Sequence, residues 1–219
     1  MRTGNAAFSH VHGEAYYDWL AGHPEDSRRF DRSVRSQNRL VLRGLLTSYD
    51  WASCGTVIDV GGGDGTFLAG LLRRYKHLHG VVFDLPHVAA AAPEVLRDAD
   101  VADRCSVLTG SFFEAVPRGG DVYLLKTILH DWDDEHASTL LRTVRQAMPP
   151  GGRLLVMEAI LRPGDAYNVG KLMDLHSLVL VQGRDRDRDA FQALLTGAGL
   201  RLTNVTETET LAIIESVPL

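Results

Sequence analysis

The sequence predicts an α/β fold: a mostly parallel, seven-stranded sheet with helices on both faces, closed by an antiparallel hairpin and preceded by N-terminal helices. From residue 56 onward, short apolar runs alternate with segments of helical periodicity, and connections of this length join parallel strands. The first apolar run ends at Asp59 and leads into a glycine cluster, which is typical of a strand, a tight turn and a helix. The last two predicted strands have no helix between them, so they are expected to pair antiparallel.

Each element is assigned from its own local pattern. Strands are short apolar runs, and helices are longer segments in which apolar residues recur at helical spacing. The predicted strands are 56–60, 80–84, 105–109, 121–125, 153–158, 200–206 and 211–216. The predicted helical segments are 66–75, 86–100, 134–148, 171–181 and 187–197, the third of which ends at the Pro-Pro-Gly-Gly run 149–152.

Residues 1–50 are interpreted as a helical segment that precedes a catalytic domain, 51–219. Two apolar clusters recur there at helical spacing, which favours helices packed on the main domain or forming one wall of a substrate pocket. The clusters are Tyr16, Tyr17, Trp19 and Leu20, and then Leu40, Val41, Leu42, Leu45 and Leu46.

Composition argues against several classes of function. The formal net charge of −5 argues against non-specific nucleic-acid binding, which needs a basic surface. No apolar run is long enough to span a bilayer, and the N-terminus lacks the apolar segment of a signal peptide, so a cytoplasmic protein is expected. Cys54 and Cys105 have no tight Cys/His cluster around them, so no metal site is predicted.

Polar or special residues follow five successive predicted strands. In a doubly wound sheet, ligands bind outside the carboxyl ends of the strands, so these residues are expected to meet at one rim. In chain order they are Asp59 with Gly61 and Gly63, then Asp84 and Leu85, then Ser111 and Phe112, then Lys126 with His130 and Trp132, and finally Glu158.

The chemistry of these side chains predicts a nucleoside site. Asp84 lies about 20 residues after the glycine turn, the spacing at which an acid accepts hydrogen bonds from ribose hydroxyls. Phe112 and Trp132 are candidates to sandwich a planar adenine. Lys126 either neutralises a ligand carboxylate or lies on the surface.

His130 is the candidate general base. Histidine titrates near neutral pH, so it can take a proton from a phenol as the oxygen attacks. Glu158 at the next strand end can hold the imidazole tautomer, and Asp185 can do the same from a later loop. The charge alternation 184–189, which contains Asp185, is interpreted as a solvated helix start.

The motifs, taken together, resemble a known family. A dinucleotide fingerprint would need glycine where Thr66 stands, whereas G-x-G-x-G after Asp59 is similar to the first motif of S-adenosylmethionine (SAM) methyltransferases. The set resembles the catalytic domain of caffeate- and flavonoid-type small-molecule O-methyltransferases, which include bacterial enzymes for aromatic natural products. The motifs are DVGGGDG (59–65), VFDLPHV (82–88), GSFF (110–113), LKTILHDWDDE (125–135) and GGRLLVME (151–158).

The resemblance implies a class I SAM methyltransferase fold, SAM as cofactor and an aromatic small molecule as acceptor. It implies that His130 is the general base, that Glu158 and Asp185 flank it, and that no metal is needed. Many relatives have aspartate at Ser111 and glutamate at Asp185. The implied SAM-contact positions are Gly61, Asp84, Leu85, Ser111, Phe112, Lys126 and Trp132, to which the glycine turn itself adds Asp59 and Gly63.

Relatives also carry an N-terminal winged-helix domain that builds a dimer and closes the substrate pocket. The chain is expected to begin just after that domain, as a natural or an excised catalytic domain, with an open acceptor site and a weakened homodimer. Three alternatives stay open: non-methylating chemistry on the same scaffold, a nicotinamide dehydrogenase, and a non-catalytic SAM-binding module.

Overall fold

The computed structural model describes residues 6–165, 169–181, 183–209 and 211–219, without the side chains of 31, 34–43 and 169. Leu40, Val41 and Leu42 of the second predicted apolar cluster therefore lie outside the described side chains.

Three helices precede the sheet, as predicted: α1 Ala7–His12, α2 Tyr16–Gly22 and α3 Pro24–Thr47. Leu45 and Leu46 near the end of α3 are buried in the same core cluster as Trp51. Residues on both sides of position 50 thus share one core, and a domain boundary there stays a prediction.

The later elements lie close to their predicted positions. The strands are β1 Thr56–Val60, β2 His79–Asp84, β3 Cys105–Thr109, β4 Val122–Lys126, β5 Arg153–Glu158, β6 Leu200–Glu207 and β7 Ala212–Pro218. The helices are α4 Thr66–Arg74, α5 Pro86–Ala89, α6 Ala92–Asp98, α7 Asp134–Ala147, α8 Val169–Leu180 and α9 Arg188–Gly197. The predicted helical segment 86–100 is divided in two because Pro93 has no N–H for a continuous helix. In the described part of the chain, no helix combines the length and apolarity that a membrane span requires.

The sheet has the strand order β3-β2-β1-β4-β5-β7-β6. The first five strands run parallel, and β7 pairs antiparallel with both β5 and β6, which confirms the predicted fold and hairpin. The order reverses between β1 and β4, where the chain leaves the two strands in opposite directions. The crevice at this switch point is where doubly wound sheets bind ligands.

The core consists of two clusters, one on each face of the sheet. Ile58 and Tyr123 point to the face covered by α7 and α9, while Val57 and Leu124 point to the face covered by α4, α6 and the end of α3. Because both faces are covered, the central strands are apolar at nearly every position. The polar residues at their carboxyl ends are therefore exceptions that need a separate explanation.

Candidate functional site

The turn between β1 and α4 requires glycine where it is tightest. Gly61 and Gly63 have φ angles of 74° and 60°, in the left-handed region. A Cβ added to Gly61 would lie 2.5 Å from Cδ1 of Ile128, whereas one added to Gly63 would meet no atom within 4 Å. The open space beside Gly63 lets a ligand approach the backbone.

Asp84 ends β2 directly beside this turn. Its Oδ2 accepts a hydrogen bond from the Gly63 N–H at 2.8 Å, and its Oδ1 accepts one from the Leu85 N–H at 2.7 Å. Each carboxylate oxygen has a second lone pair, so Asp84 can fix the turn and still accept from a ligand diol. Leu85 is 41% exposed and adds an apolar side chain to the same rim of the sheet.

Asp59 and Lys126 are buried behind the turn. Burial raises the pKa of Asp59 to about 7, with Lys126 acting in the opposite direction. Burial lowers the pKa of Lys126, which Asp59 and Glu158 oppose. The ammonium thus lies among acids of the chain itself, and its contact with a ligand carboxylate stays a prediction.

The aromatic residues at the rim lie edge to face. The rings of Phe112 and Trp132 have centroids 6.1 Å apart and planes at 85°, and Trp132 meets Phe113 at 4.7 Å and 89°. Ring quadrupoles favour this geometry, in which the two faces are not parallel, and the adenine sandwich stays a prediction. Ser111 Oγ accepts from the Phe113 N–H at 3.3 Å and fixes the turn that presents Phe112.

His130 lies in a short 3₁₀ turn, Leu129–Asp131, just after β4. Its Nδ1 is 2.8 Å from Oε2 of Glu158, which ends β5 and is 1% exposed. The other oxygen, Oε1, accepts from the N–H groups of Ile128 and Leu129, both at 2.8 Å, and of His130 at 3.4 Å. Glu158 therefore holds the imidazole and the backbone that carries it.

Two residues that the sequence analysis missed complete this cluster. Asp131 Oδ1 lies 3.2 Å from Nε2 of His130, and its Oδ2 accepts from the hydroxyl of Tyr17 in α2 at 2.5 Å. Burial alone would lower the pKa of His130, but the charges of Glu158 and Asp131 outweigh it and raise that pKa well above 6.5. The adjacency of Asp131 to His130 was a usable signal, whereas the sequence placed Tyr17 only in a cluster that packs on the main domain or forms one wall of a substrate pocket.

Asp185 is buried close to the same imidazole. One donor atom each from His130, Glu158 and Asp185 lie within 4.8 Å of one another, a set that suits a divalent cation chemically. Burial raises the pKa of Asp185 to about 7, and its Oδ2 has no hydrogen-bond partner among the described residues.

The interpretation of 184–189 as a solvated helix start is wrong for Asp185 and Arg186. Helix α9 begins at Arg188 and is capped by Asp187, as a helix start should be. Asp185 and Arg186, however, are 5% and 1% exposed. A charge pattern in the sequence does not reveal which charges have buried partners, and here the partners are on the turn that carries His130.

Similar proteins were found among curated sequences. Phenazine O-methyltransferase of Lysobacter antibioticus is 40% identical over 220 residues, covering 100% of this chain and 64% of that protein. O-demethylpuromycin-O-methyltransferase of Streptomyces alboniger is 42% identical over 227 residues, covering 100% of this chain and 60% of that protein. The chain thus spans roughly three fifths of the length of these relatives.

A solved structure shows the same fold. It is an O-methyltransferase from neocarzinostatin biosynthesis in complex with S-adenosyl-L-homocysteine and 1,4-dihydroxy-2-naphthoic acid. Its TM-score is 0.93 at 36% identity, covering 100% of this chain and 66% of that one. A family model described as an O-methyltransferase domain matches residues 1–201. With its seven-stranded sheet and these matches, the chain belongs to the O-methyltransferase domain family.

Proposed function

We propose that this chain transfers a methyl group from SAM to a hydroxyl of an aromatic small molecule, with His130 as general base. One observation carries the proposal. A half-buried imidazole, fixed at Nδ1 by Glu158, follows β4 at the switch point, and the glycine turn follows the neighbouring β1. An acid–base group and a nucleoside-type turn therefore share one crevice.

The residues present fit SAM. The open space at Gly63 admits a nucleoside to the backbone, and Asp84 beside it offers carboxylate lone pairs to a ribose diol. Phe112 and Trp132 offer apolar faces near the same rim. When bound, SAM supplies a methyl group activated by a sulfonium charge. The chain's part is to hold that methyl in line with the acceptor oxygen, since alignment alone can contribute much of the rate.

His130 supplies the remaining step. With Nδ1–H donating to Glu158, the lone pair of a neutral imidazole lies on Nε2, and this nitrogen takes the hydroxyl proton as the oxygen attacks. In the structure Nε2 lies 3.2 Å from Asp131, an acceptor, so this arrangement corresponds to the protonated ring. Catalysis requires that the ring lose that proton and that the acceptor hydroxyl take the place of Asp131.

The acceptor class is proposed from the relatives. The neocarzinostatin-pathway structure carries a dihydroxynaphthoic acid, and a ring of this size is the acceptor we propose. A cytoplasmic location and a homodimer belong to the same proposal.

The test is methyl transfer by the chain itself. We would incubate it with SAM and a panel of phenols and hydroxynaphthoates and analyse the products by mass spectrometry. We expect one acceptor to gain one methyl in place of hydrogen, with S-adenosyl-L-homocysteine formed in equal amount. Gain of an oxygen atom or loss of carbon dioxide would instead support non-methylating chemistry, and tight SAM binding without any product would support a binding module.

The protonation of His130 is expected to set the pH dependence of kcat/KM. Because the two carboxylates raise the pKa of His130, the neutral base forms only well above pH 6.5, and kcat/KM should rise with pH in that range. Asp131→Asn removes one of the two charges and should lower the pKa of His130, so the rise in kcat/KM moves to lower pH. A pH–rate profile at saturating SAM measures this shift.

Asp133→Asn is the matched control. Asp133 also pairs with a histidine at 2.8 Å, but that histidine is the exposed His136. The pH–rate profile of the Asp133→Asn variant should follow that of the unmodified protein. An unshifted profile for Asp131→Asn would mean that His130 is not the group seen in the profile.

A further inference from the structure

Arg186 is a buried charge that the proposed chemistry does not use. It lies in the loop before α9 and is 1% exposed. Its backbone carbonyl accepts from the Leu161 N–H at 3.0 Å, which ties the loop to the chain just beyond β5. Burying a guanidinium is costly unless its donors are satisfied, so its partners indicate its role.

The partners of Arg186 bracket the turn that carries His130. Nη1 donates to the carbonyl of Leu129 at 2.8 Å, and Nη2 donates to the carbonyl of Trp132 at 2.9 Å. Nε and Nη2 also donate to Oδ1 of Asp134, at 3.0 and 2.9 Å. The rigid planar fork of arginine makes such a set of bonds, which a lysine cannot reproduce.

Gly183, in the same loop, packs on the backbone of this turn. A Cβ added to Gly183 would lie 1.9 Å from the carbonyl oxygen of His130 and 2.8 Å from Cα of Asp131. Backbone atoms cannot give way as the end of a flexible side chain can. The loop therefore packs closely against the backbone of His130 and Asp131, and only glycine fits at position 183.

Glu158 and Arg186 hold complementary groups of one turn. The Glu158 carboxylate accepts from N–H groups of the turn, and the Arg186 guanidinium donates to carbonyls of the same turn. Within the turn, the Leu129 carbonyl also accepts from the Trp132 N–H at 3.3 Å, but the bonds from Glu158 and Arg186, at 2.8 to 2.9 Å, are shorter and hold the turn in place. The orientation of the His130 imidazole therefore depends on Glu158 and Arg186.

We propose that Arg186 is a positioning residue that, with Gly183, holds the turn 129–132 so that His130 presents Nε2 to the acceptor. The inference rests on the proposed function for its effect on turnover. The bonds of Arg186 to this turn run to backbone carbonyls, that of Trp132 among them, so its loss is expected to affect proton transfer most, while the glycine turn and Asp84 are unchanged.

Arg104 provides a matched control for general stability. Arg104 is half-buried and, like Arg186, donates to two backbone carbonyls, those of Leu78 at 2.9 Å and Leu72 at 3.0 Å. It lies before β3, at the amino ends of the strands and away from the candidate site. Loss of either guanidinium removes hydrogen bonds to two backbone carbonyls and should destabilise the fold.

The experiment compares Arg186→Met and Arg104→Met by calorimetry with SAM and by kcat, KM and pH profile. We expect Arg186→Met to lower kcat by about 10²-fold, since a displacement of about 1 Å has this effect, with the Kd for SAM unchanged. Arg104→Met should lose stability and keep kcat per folded molecule. Arg186→Lys should recover only part of the loss. Equal losses of kcat in the two methionine variants, or a parallel loss of SAM affinity, would overturn the proposal.

A readout independent of turnover separates this proposal from the proposed function. Imidazole ¹H–¹⁵N spectra identify the tautomer and titration of His130, assigned with the His130→Gln variant. We expect the His130 resonances to shift in Arg186→Met and to stay in place in Arg104→Met, whether or not any acceptor is methylated. If Arg186→Met does not fold, Asp134→Asn removes the exposed anchor of the guanidinium and should shift the same resonances. Unshifted His130 resonances in the folded variants would exclude a positioning role.

Discussion

Replacing His130 with alanine is expected to lower kcat by about 10²–10⁴-fold, the usual contribution of a general base, while the Kd for SAM stays nearly constant. The imidazole lies beside β4, and its bonds run to Glu158 and Asp131 rather than to the glycine turn or Asp84. Its removal therefore takes away the proton acceptor and leaves the cofactor contacts in place. Steady-state kinetics and calorimetry on the same preparation measure the two effects.

His136→Ala is the control for this prediction. His136 pairs with an aspartate at 2.8 Å, as His130 pairs with Glu158, but its side chain is exposed. We expect this variant to keep its kcat. If His130→Ala turned over at the unmodified rate, another group would have to take the proton, and the assignment of the base would be wrong.

Replacing Asp84 with alanine should abolish measurable SAM binding. A charge-assisted hydrogen bond contributes about 1.5–3 kcal/mol, so losing two bonds to a ribose diol weakens binding by about 10²-fold or more. The same carboxylate also holds the Gly63 and Leu85 N–H groups, so the glycine turn loses an anchor as well. Calorimetric titration with SAM and with S-adenosyl-L-homocysteine measures the loss.

Asp121→Ala separates cofactor binding from stability. Asp121 also accepts from two backbone N–H groups, those of Gly55 at 3.0 Å and Thr56 at 2.7 Å, but at the opposite end of β1. The Asp121→Ala variant should lower the free energy of unfolding about as much as Asp84→Ala does and leave SAM binding intact. SAM binding that survives in Asp84→Ala would place the ribose elsewhere.

The glycine turn is a feature that the local sequence pattern predicts. Strand, turn and helix follow from a few neighbouring residues, because the acid, the positive φ angles and the apolar runs are all local requirements. Asp84 could be placed next to the turn because parallel strands bring their carboxyl ends to one rim. The same reasoning placed Glu158 near His130, and the structure puts the two 2.8 Å apart.

The aromatic pair and the charged run show what a local sequence pattern leaves undetermined. Phe112 and Trp132 were placed at the rim correctly, but the angle between their rings depends on Phe113 and on how three side chains pack together. Arg186 looked solvated because alternating charges usually are. Its burial depends on carbonyls more than fifty positions earlier in the chain.

The sequence by itself determined the order of the strands and helices, the glycine turn and the set of polar residues at the sheet's rim. Tertiary structure alone decided which nitrogen of His130 each carboxylate faces and that Tyr17 reaches Asp131 from a helix 114 residues away. The physical reason is one of range. Backbone conformation and strand direction follow from neighbours in the chain, whereas the charge state and orientation of a half-buried imidazole depend on side chains that only packing brings together.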